Sequence, residues 1–235
     1  MISREEKNNK STQKAMQRQT WNTTNQMIIK SRHSQKQTSQ LFRAVSSSYQ
    51  SDFLSSTKRI IQLGISTGDF LQEIASDNST RKIIGYDISS TAIDYITSKG
   101  LQGRLVDLNE INTTKKCLAY QSALENDLSL SADILAVRIL EYLDPGALIL
   151  LLFALINLSK PNTMFYFDIF SAKFDDLTQF QFTNNYQYLK ENYVASFFAP
   201  RTDMQFVYHT INKNEENDKC NQCDTTTERL ILKKI

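Results

Sequence analysis

Asp87 closes a short apolar run, Ile83-Ile84-Gly85-Tyr86, and follows the turn Gly64-Ile65-Ser66-Thr67-Gly68 by roughly 20 residues, the spacing of a diol-binding acid in dinucleotide folds. A carboxylate at such a strand end suits a ribose diol, because it accepts both hydroxyl protons at once. Gly64, Ser66, Thr67 and Gly68 let the backbone turn sharply and bring bare main chain close to a ligand. Ile60, Ile61 and Leu63, with Gln62 among them, have the composition of a buried strand before the turn. Phe70, Leu71, Ile74 and Ala75 recur at helical spacing after it. Strand, small-residue turn, helix, strand and acid, in that order, build a nucleotide-type pocket at the edge of a parallel sheet.

Two cofactor classes share this layout. The nicotinamide fingerprint G-x-G-x-x-G fits poorly, since its middle and third glycines are missing from Gly64-Ile65-Ser66-Thr67-Gly68. A turn ending Thr-Gly and followed by Asp69-Phe70-Leu71 instead resembles the first motif of class I S-adenosylmethionine-dependent methyltransferases. The resemblance continues in order through Gly85-Tyr86-Asp87-Ile88-Ser89, Val106-Asp107-Leu108 and Ala132-Asp133-Ile134-Leu135. It then runs through Ile139-Leu140-Glu141-Tyr142-Leu143, Leu158-Ser159-Lys160-Pro161-Asn162 and Met164-Phe165-Tyr166-Phe167. It spans about half the chain, Arg59 to Ile169. It implies S-adenosyl-L-methionine as cofactor, with Gln62, Gly64, Ser66 and Gly68 at the methionine portion, Asp87 and Ile88 at the ribose, and Asp107 and Leu108 at the adenine. Two positions depart from the family: Gln62 stands where an acid is usual, and Ser66 where glycine is usual.

The loop after the fourth strand carries Arg138, Glu141 and Tyr142, which would face the methyl acceptor. Arg138 has two readings: a fork for a carboxylate or phosphate on the acceptor, or a salt bridge to Asp133, Glu141 or another nearby acid. Glu141 or Tyr142 could take a proton or orient an amine, but Glu141 also reads as a solvated helix-start residue. His209, in a terminal strand, reads as structural. Enzymes that methylate base amino groups carry Asn or Asp, Pro-Pro and an aromatic here; this chain has Ala136-Val137-Arg138-Ile139-Leu140. A small molecule, or a protein side chain, is therefore the expected acceptor.

From residue 59 onward strands and helices alternate, which predicts a parallel sheet with crossovers. Strands are expected near 59–64, 82–87, 103–107, 133–138 and 163–169. Helices are expected near 68–77, 90–99, 118–128 and 145–159, with a fifth within 172–192. Asp144 and Pro145 suit a helix start. Runs 205–211 and 227–232 read as an antiparallel hairpin. The expected architecture is an α/β three-layer Rossmann-like methyltransferase fold. Its seven-stranded sheet would be mostly parallel with a C-terminal antiparallel hairpin. Ahead of it, 12–30 and 38–54 read as helices of an N-terminal lid. The domain boundary falls between an arm, 1–54, and a methyltransferase domain, 55–235.

Charge divides the chain unevenly. Residues 1–43 hold nine Lys and Arg against Glu5 and Glu6, a net +7, so the remainder carries −5 within an overall +2. This basic arm reads as a contact for nucleic acid or an anionic surface, or as a solvated leader and lid. An alternative function follows: a catalytically weak S-adenosylmethionine-binding module that uses the arm on RNA or a protein partner. Three cysteines, and no apolar run long enough for a membrane span or a signal segment, suit a cytoplasmic chain. Cys220 and Cys223 have the spacing of half a zinc site, but no second half is visible, so no metal is expected.

Overall fold

The computed structural model describes residues 16, 18–24, 26, 58–68, 82–112, 123–128, 131–172, 180–182, 187–213 and 225–235. Its contacts divide the chain into two compact units, 1–57 with 65–107, and 58–64 with 108–235. The expected helices 38–54 and 68–77 lie outside the described residues, as do Cys117, Cys220, Cys223 and His33. Of the expected first helix, residues 18–24 are described and are helical.

In the first unit, β2 (Ile83–Asp87) is buried along its whole length, as its unbroken apolar run requires. It pairs in parallel with β3 (Gln102–Leu105), Asp87 opposite Leu105. Between them runs α1 (Ser90–Ser98), which buries Ala92 and Ile96. Ser89 caps it, its Oγ accepting from the Ala92 amide at 3.2 Å. Val106 N–H donates to the Asp87 carbonyl at 2.8 Å, which ties the end of β2 to the residue before Asp107.

In the second unit, β1 (Arg59–Leu63), β4 (Ala132–Val137) and β5 (Met164–Ala172) run parallel, with Leu63 opposite Ala136 and Val137 opposite Asp168. β9 (Thr225–Lys234) lies antiparallel to β5, and β8 (Met204–Lys213) antiparallel to β9, so the expected terminal hairpin forms. Seven strands thus answer the expectation. Two more, β6 (Phe180–Phe182) and β7 (Gln187–Lys190), occupy part of the segment expected to hold a fifth helix. β7 extends the sheet beside the end of β5, Ser171 opposite Leu189, and β6 pairs with β7. At these positions strand pairing outweighs the local helical spacing, and residues 173–179 and 183–186 lie outside the described residues. A helix, α3 (Tyr193–Phe198), follows β7.

β4 and β5 are joined through α2 (Pro145–Leu158), which has Pro145 in its first turn as expected. Asp144 occupies the capping position, but its side chain makes no capping bond. Phe165 and Phe167 of β5 pack against Phe198 of α3, the Phe167 and Phe198 rings near parallel at 5.9 Å. Each such buried ring contributes about 1.5–3 kcal/mol. Among the described residues, no helix is long and apolar enough to cross a membrane.

Candidate active site

The glycine turn is a left-handed device. Gly64, Ser66 and Gly68 have φ of +68°, +49° and +63°. Glycine adopts this region freely, whereas serine is strained there. Ser66 is held nonetheless, because its amide donates to Asp87 Oδ2 at 2.8 Å. Ser89 N–H donates to Oδ1 of the same carboxylate at 2.8 Å. Burial raises the Asp87 carboxyl above its ordinary value, while the amides of Ser66, Ser89 and Ile88 pull it down. The carboxylate keeps accepting capacity beyond these amides for a ligand hydroxyl. Within the first unit the Ser66 and Ser89 amides thus meet on the Asp87 carboxylate, with Ile88 between Asp87 and Ser89 in the chain.

Asp107 is buried in the same unit. Arg18, on the helical segment 18–24, stands 3.8 Å from Asp107 Oδ2. Asn22, one turn later, accepts from Ser89 Oγ at 2.8 Å. Two residues of the basic arm thus meet residues adjoining or within the predicted cofactor set.

The second unit holds the other predicted residues. Gln62, only 5% exposed, is the penultimate residue of β1, and its Oε1 has no hydrogen-bond partner. Its Nε2 reaches the Gly64 carbonyl at 3.5 Å, the outer limit of a hydrogen bond. Gly64 lies against the loop after β4: a Cβ there would stand 2.8 Å from Ile139 Cγ1. Leu108 is buried and opens the turn Leu108–Asn112.

Arg138, also left-handed at φ +53°, takes the salt-bridge reading. Its partner is Asp168, with Nε 2.6 Å from Oδ1, a charge contact outside hydrogen-bond geometry. Nη2 donates to Thr227 Oγ1 at 2.9 Å, and the Arg138 amide donates to the Asp168 carbonyl at 2.9 Å. Arg229 Nε meets the other oxygen, Asp168 Oδ2, at 3.1 Å. One carboxylate, 3% exposed, therefore holds two guanidinium groups. Asp133 is engaged elsewhere, accepting from Met164 N–H at 3.1 Å with Lys58 at 3.5 Å.

Glu141 is not a solvated helix-start residue. It is 3% exposed, inside the turn Leu140–Tyr142. Tyr142 is half-buried beside it. Asn109 braces this loop, accepting from Asp144 N–H at 2.7 Å while its Nδ2 approaches the Tyr142 carbonyl at 3.5 Å. Sequence reasoning missed Asn109, Arg229 and Thr227. Nothing local marks them, since their partners lie more than 30 positions away: Asp144 and Tyr142 for Asn109, Asp168 for Arg229 and Arg138 for Thr227. His209 is structural as expected: its Nε2 lies 2.9 Å from Glu228 Oε1, and Asn192 N–H donates to Glu228 Oε2 at 3.0 Å. Among the described residues no cluster of His, Cys, Asp and Glu is arranged to hold a metal.

No protein-family model matches the chain. No curated protein sequence matches it either. Solved structures do. An S-adenosylmethionine-dependent methyltransferase from Archaeoglobus fulgidus superposes with a TM-score of 0.57 at 17% identity, covering 83% of this chain and 94% of that one. The N-methyltransferase NodS from Bradyrhizobium japonicum WM9, in complex with S-adenosyl-L-homocysteine, gives 0.52 at 12% identity over 85% and 86%. The fold is that of the class I S-adenosylmethionine-dependent methyltransferases. The [4+2]-cyclase SpnF also matches, at 0.56 and 10% identity over 78% of each chain. The methyltransferase fold therefore hosts more than one chemistry, and its residues must decide which.

Proposed function

We propose that this chain transfers a methyl group from S-adenosyl-L-methionine to a small-molecule or protein acceptor. The observation that carries the reading is the Asp87 carboxylate, held at the end of β2 by the Ser66 and Ser89 amides with accepting capacity left over. The orphaned, buried Gln62 Oε1 supports it, because an acceptor without a donor suits a ligand ammonium. In this reading Asp87, beside Ile88, orients the ribose, Asp107 and Leu108 frame the adenine, and Gln62 receives the amino group. Gly64, Ser66 and Gly68 keep the backbone open to the methionine portion. The bound cofactor supplies a methyl group on a sulfonium, already an activated leaving group. The protein's task is then to place the acceptor in line and exclude water. Arg138, Glu141 and Tyr142 are assigned to the acceptor. Arg138 is fixed by Asp168 and Glu141 is buried; in this reading the Glu141 carboxylate orients or deprotonates an acceptor N–H or O–H.

Residues 55–235 act as the methyltransferase domain and 1–54 as arm and lid, with Arg18 and Asn22 as the lid's contacts. A cytoplasmic location accords with the cysteine content. Nucleic-acid contact through residues 1–43 is a separate reading of the basic arm; it predicts affinity for RNA that falls steeply with salt. The test of methyl transfer is titration calorimetry with S-adenosylmethionine and S-adenosylhomocysteine, followed by tritiated methyl transfer into fractions of a cell extract. Binding with labelled product supports the enzyme. Binding without any labelled product turns the assignment to the cofactor-binding module, and absence of binding removes both.

A further inference from the structure

The outer face of α2 is apolar where a helix that meets water ordinarily carries charge. Its 14 residues include no charged side chain and one polar one, Asn157. The exposed positions are Gly146, Leu150, Phe153 and Asn157. Leu150 is 41% exposed and Phe153 43%. These four positions form a narrow seam along one side of the helix, at the alternating spacing by which paired helices meet. The Phe153 ring lies edge-on to Phe197 of α3 at 4.9 Å, so the apolar surface continues onto α3 and is ordered before any partner arrives. At Gly146 a Cβ would meet open space, which leaves room for another chain to approach closely.

The seam is complementary to itself. Turning α2 end for end about the point between Leu151 and Leu152 sets Leu150 opposite Phe153 and Gly146 opposite Asn157. Apolar side chains then meet apolar ones, and the smallest residue receives the polar one. The flanks obey the same operation. Asp144, exposed, precedes the helix, and Lys160, exposed, follows its end. The Asp144 side chain makes no capping bond to its own helix. End-for-end pairing brings each Asp144 toward the Lys160 of the other copy, whereas parallel pairing would set like charges together. A surface that answers itself in both shape and charge is the mark of a two-fold contact between identical chains.

We propose that two copies of this chain pair through α2, antiparallel about a two-fold axis beside Leu151 and Leu152. Leu150 of each copy packs on Phe153 of the other, and Asp144 stands beside Lys160 at both ends. One helix and its α3 neighbour make a contact at the small end of interface sizes, which suits a reversible dimer of micromolar affinity. The pairing requires neither cofactor nor acceptor, so dimerisation and methyl transfer can fail separately.

The test is sedimentation velocity of the full chain from about 1 to about 200 µM, a range that brackets a micromolar dimer. The wild-type chain should pass from monomer to dimer. Leu150→Glu buries two like charges at the centre of the seam and should weaken the dimer about tenfold or more. Asp144→Lys and Lys160→Asp should each weaken it several-fold, and the two together should restore it. A measurement on the wild-type chain needs no variant. Carbodiimide joins a carboxylate to an ammonium in direct contact, and it should link Asp144 to Lys160. Within one copy these residues stand about 24 Å apart along the helix, too far for that bond, so the link reports two copies. A wild-type chain that stays monomeric at the highest concentration gives the face to some other partner and overturns the proposal. A dimer without the Asp144–Lys160 link, or one that Leu150→Glu leaves intact, overturns it as well.

Discussion

The Gly64–Gly68 turn with Asp87, and the Arg138–Asp168–Arg229 cluster, meet the same need by opposite means. Both must hold charge away from water in a fixed position. The first uses backbone: amides of Ser66 and Ser89 on one carboxylate, with three left-handed residues bending the chain around it. The second uses side chains from three strands or strand ends, gathered by the register that sets Val137 opposite Asp168 and Asp168 opposite Arg229. A backbone device depends on a few adjacent residues and tolerates change elsewhere. A side-chain device depends on every strand that contributes to it, so damage to it should unsettle the fold as well as the site.

That contrast can be broken in order of expected effect. Asp168→Asn removes the charge shared by two guanidinium groups. It should cost about 3 kcal/mol of stability, because two half-buried cations lose the buried charge they share, and urea unfolding measures it. A loss below about 1 kcal/mol, the level of an exposed pair, would show the cluster to be a surface feature. Asp87→Ala should act chiefly on binding: affinity for S-adenosylmethionine should fall about 100-fold, the worth of two hydrogen bonds to a charged group. Calorimetry reads it, and unchanged affinity would remove Asp87 from the ribose.

Gly68→Ala tests the backbone device alone. Its Cβ would stand 2.7 Å from Ile96 Cγ2 at a φ of +63°. The strain should cost about 2 kcal/mol in thermal or chemical unfolding, with the Asp168 cluster undisturbed. A neutral outcome would mean the turn relaxes without penalty.

The smallest effect concerns Glu228. Burial raises its carboxyl above the ordinary 4.5, while His209 and the Asn192 amide pull it down. A folded pKa above the unfolded one gives a contribution that is complete below the unfolded value and lost as pH rises through the folded value. The stability of wild type relative to Glu228→Gln should therefore be greatest at acid pH and decline as pH rises through and above the ordinary carboxylate range. Paired urea titrations test it, and a difference that grows in favour of wild type would reverse the sign.

How far these features could be read in advance follows the same division. β1, β2, β4 and β5, α1, α2 and the terminal hairpin all lie close to where apolar runs and spacing place them. Asp87 was legible because its amide partners lie in a turn that glycine marks and in the residues just after it. Glu141 was misread as solvated, because a charged residue near a helix start looks exposed in sequence. Its burial comes from the short turn Leu140–Tyr142 that precedes α2. Residues 187–190, just before α3, fell inside a span expected to hold a helix, whereas pairing with the end of β5 makes them strand.

Sequence by itself determined the order of elements, the left-handed turn and the acid that follows it, because these rest on local steric freedom and on periodic burial. Tertiary structure alone decided that Arg138 belongs to Asp168, that Arg229 joins it, and that Asn109 braces the loop carrying Tyr142. Those pairings depend on strand register and on contacts between residues 30 to 89 positions apart. No spacing rule encodes contacts of that range; only the packed sheet, which fixes which side chains share a face, can select them.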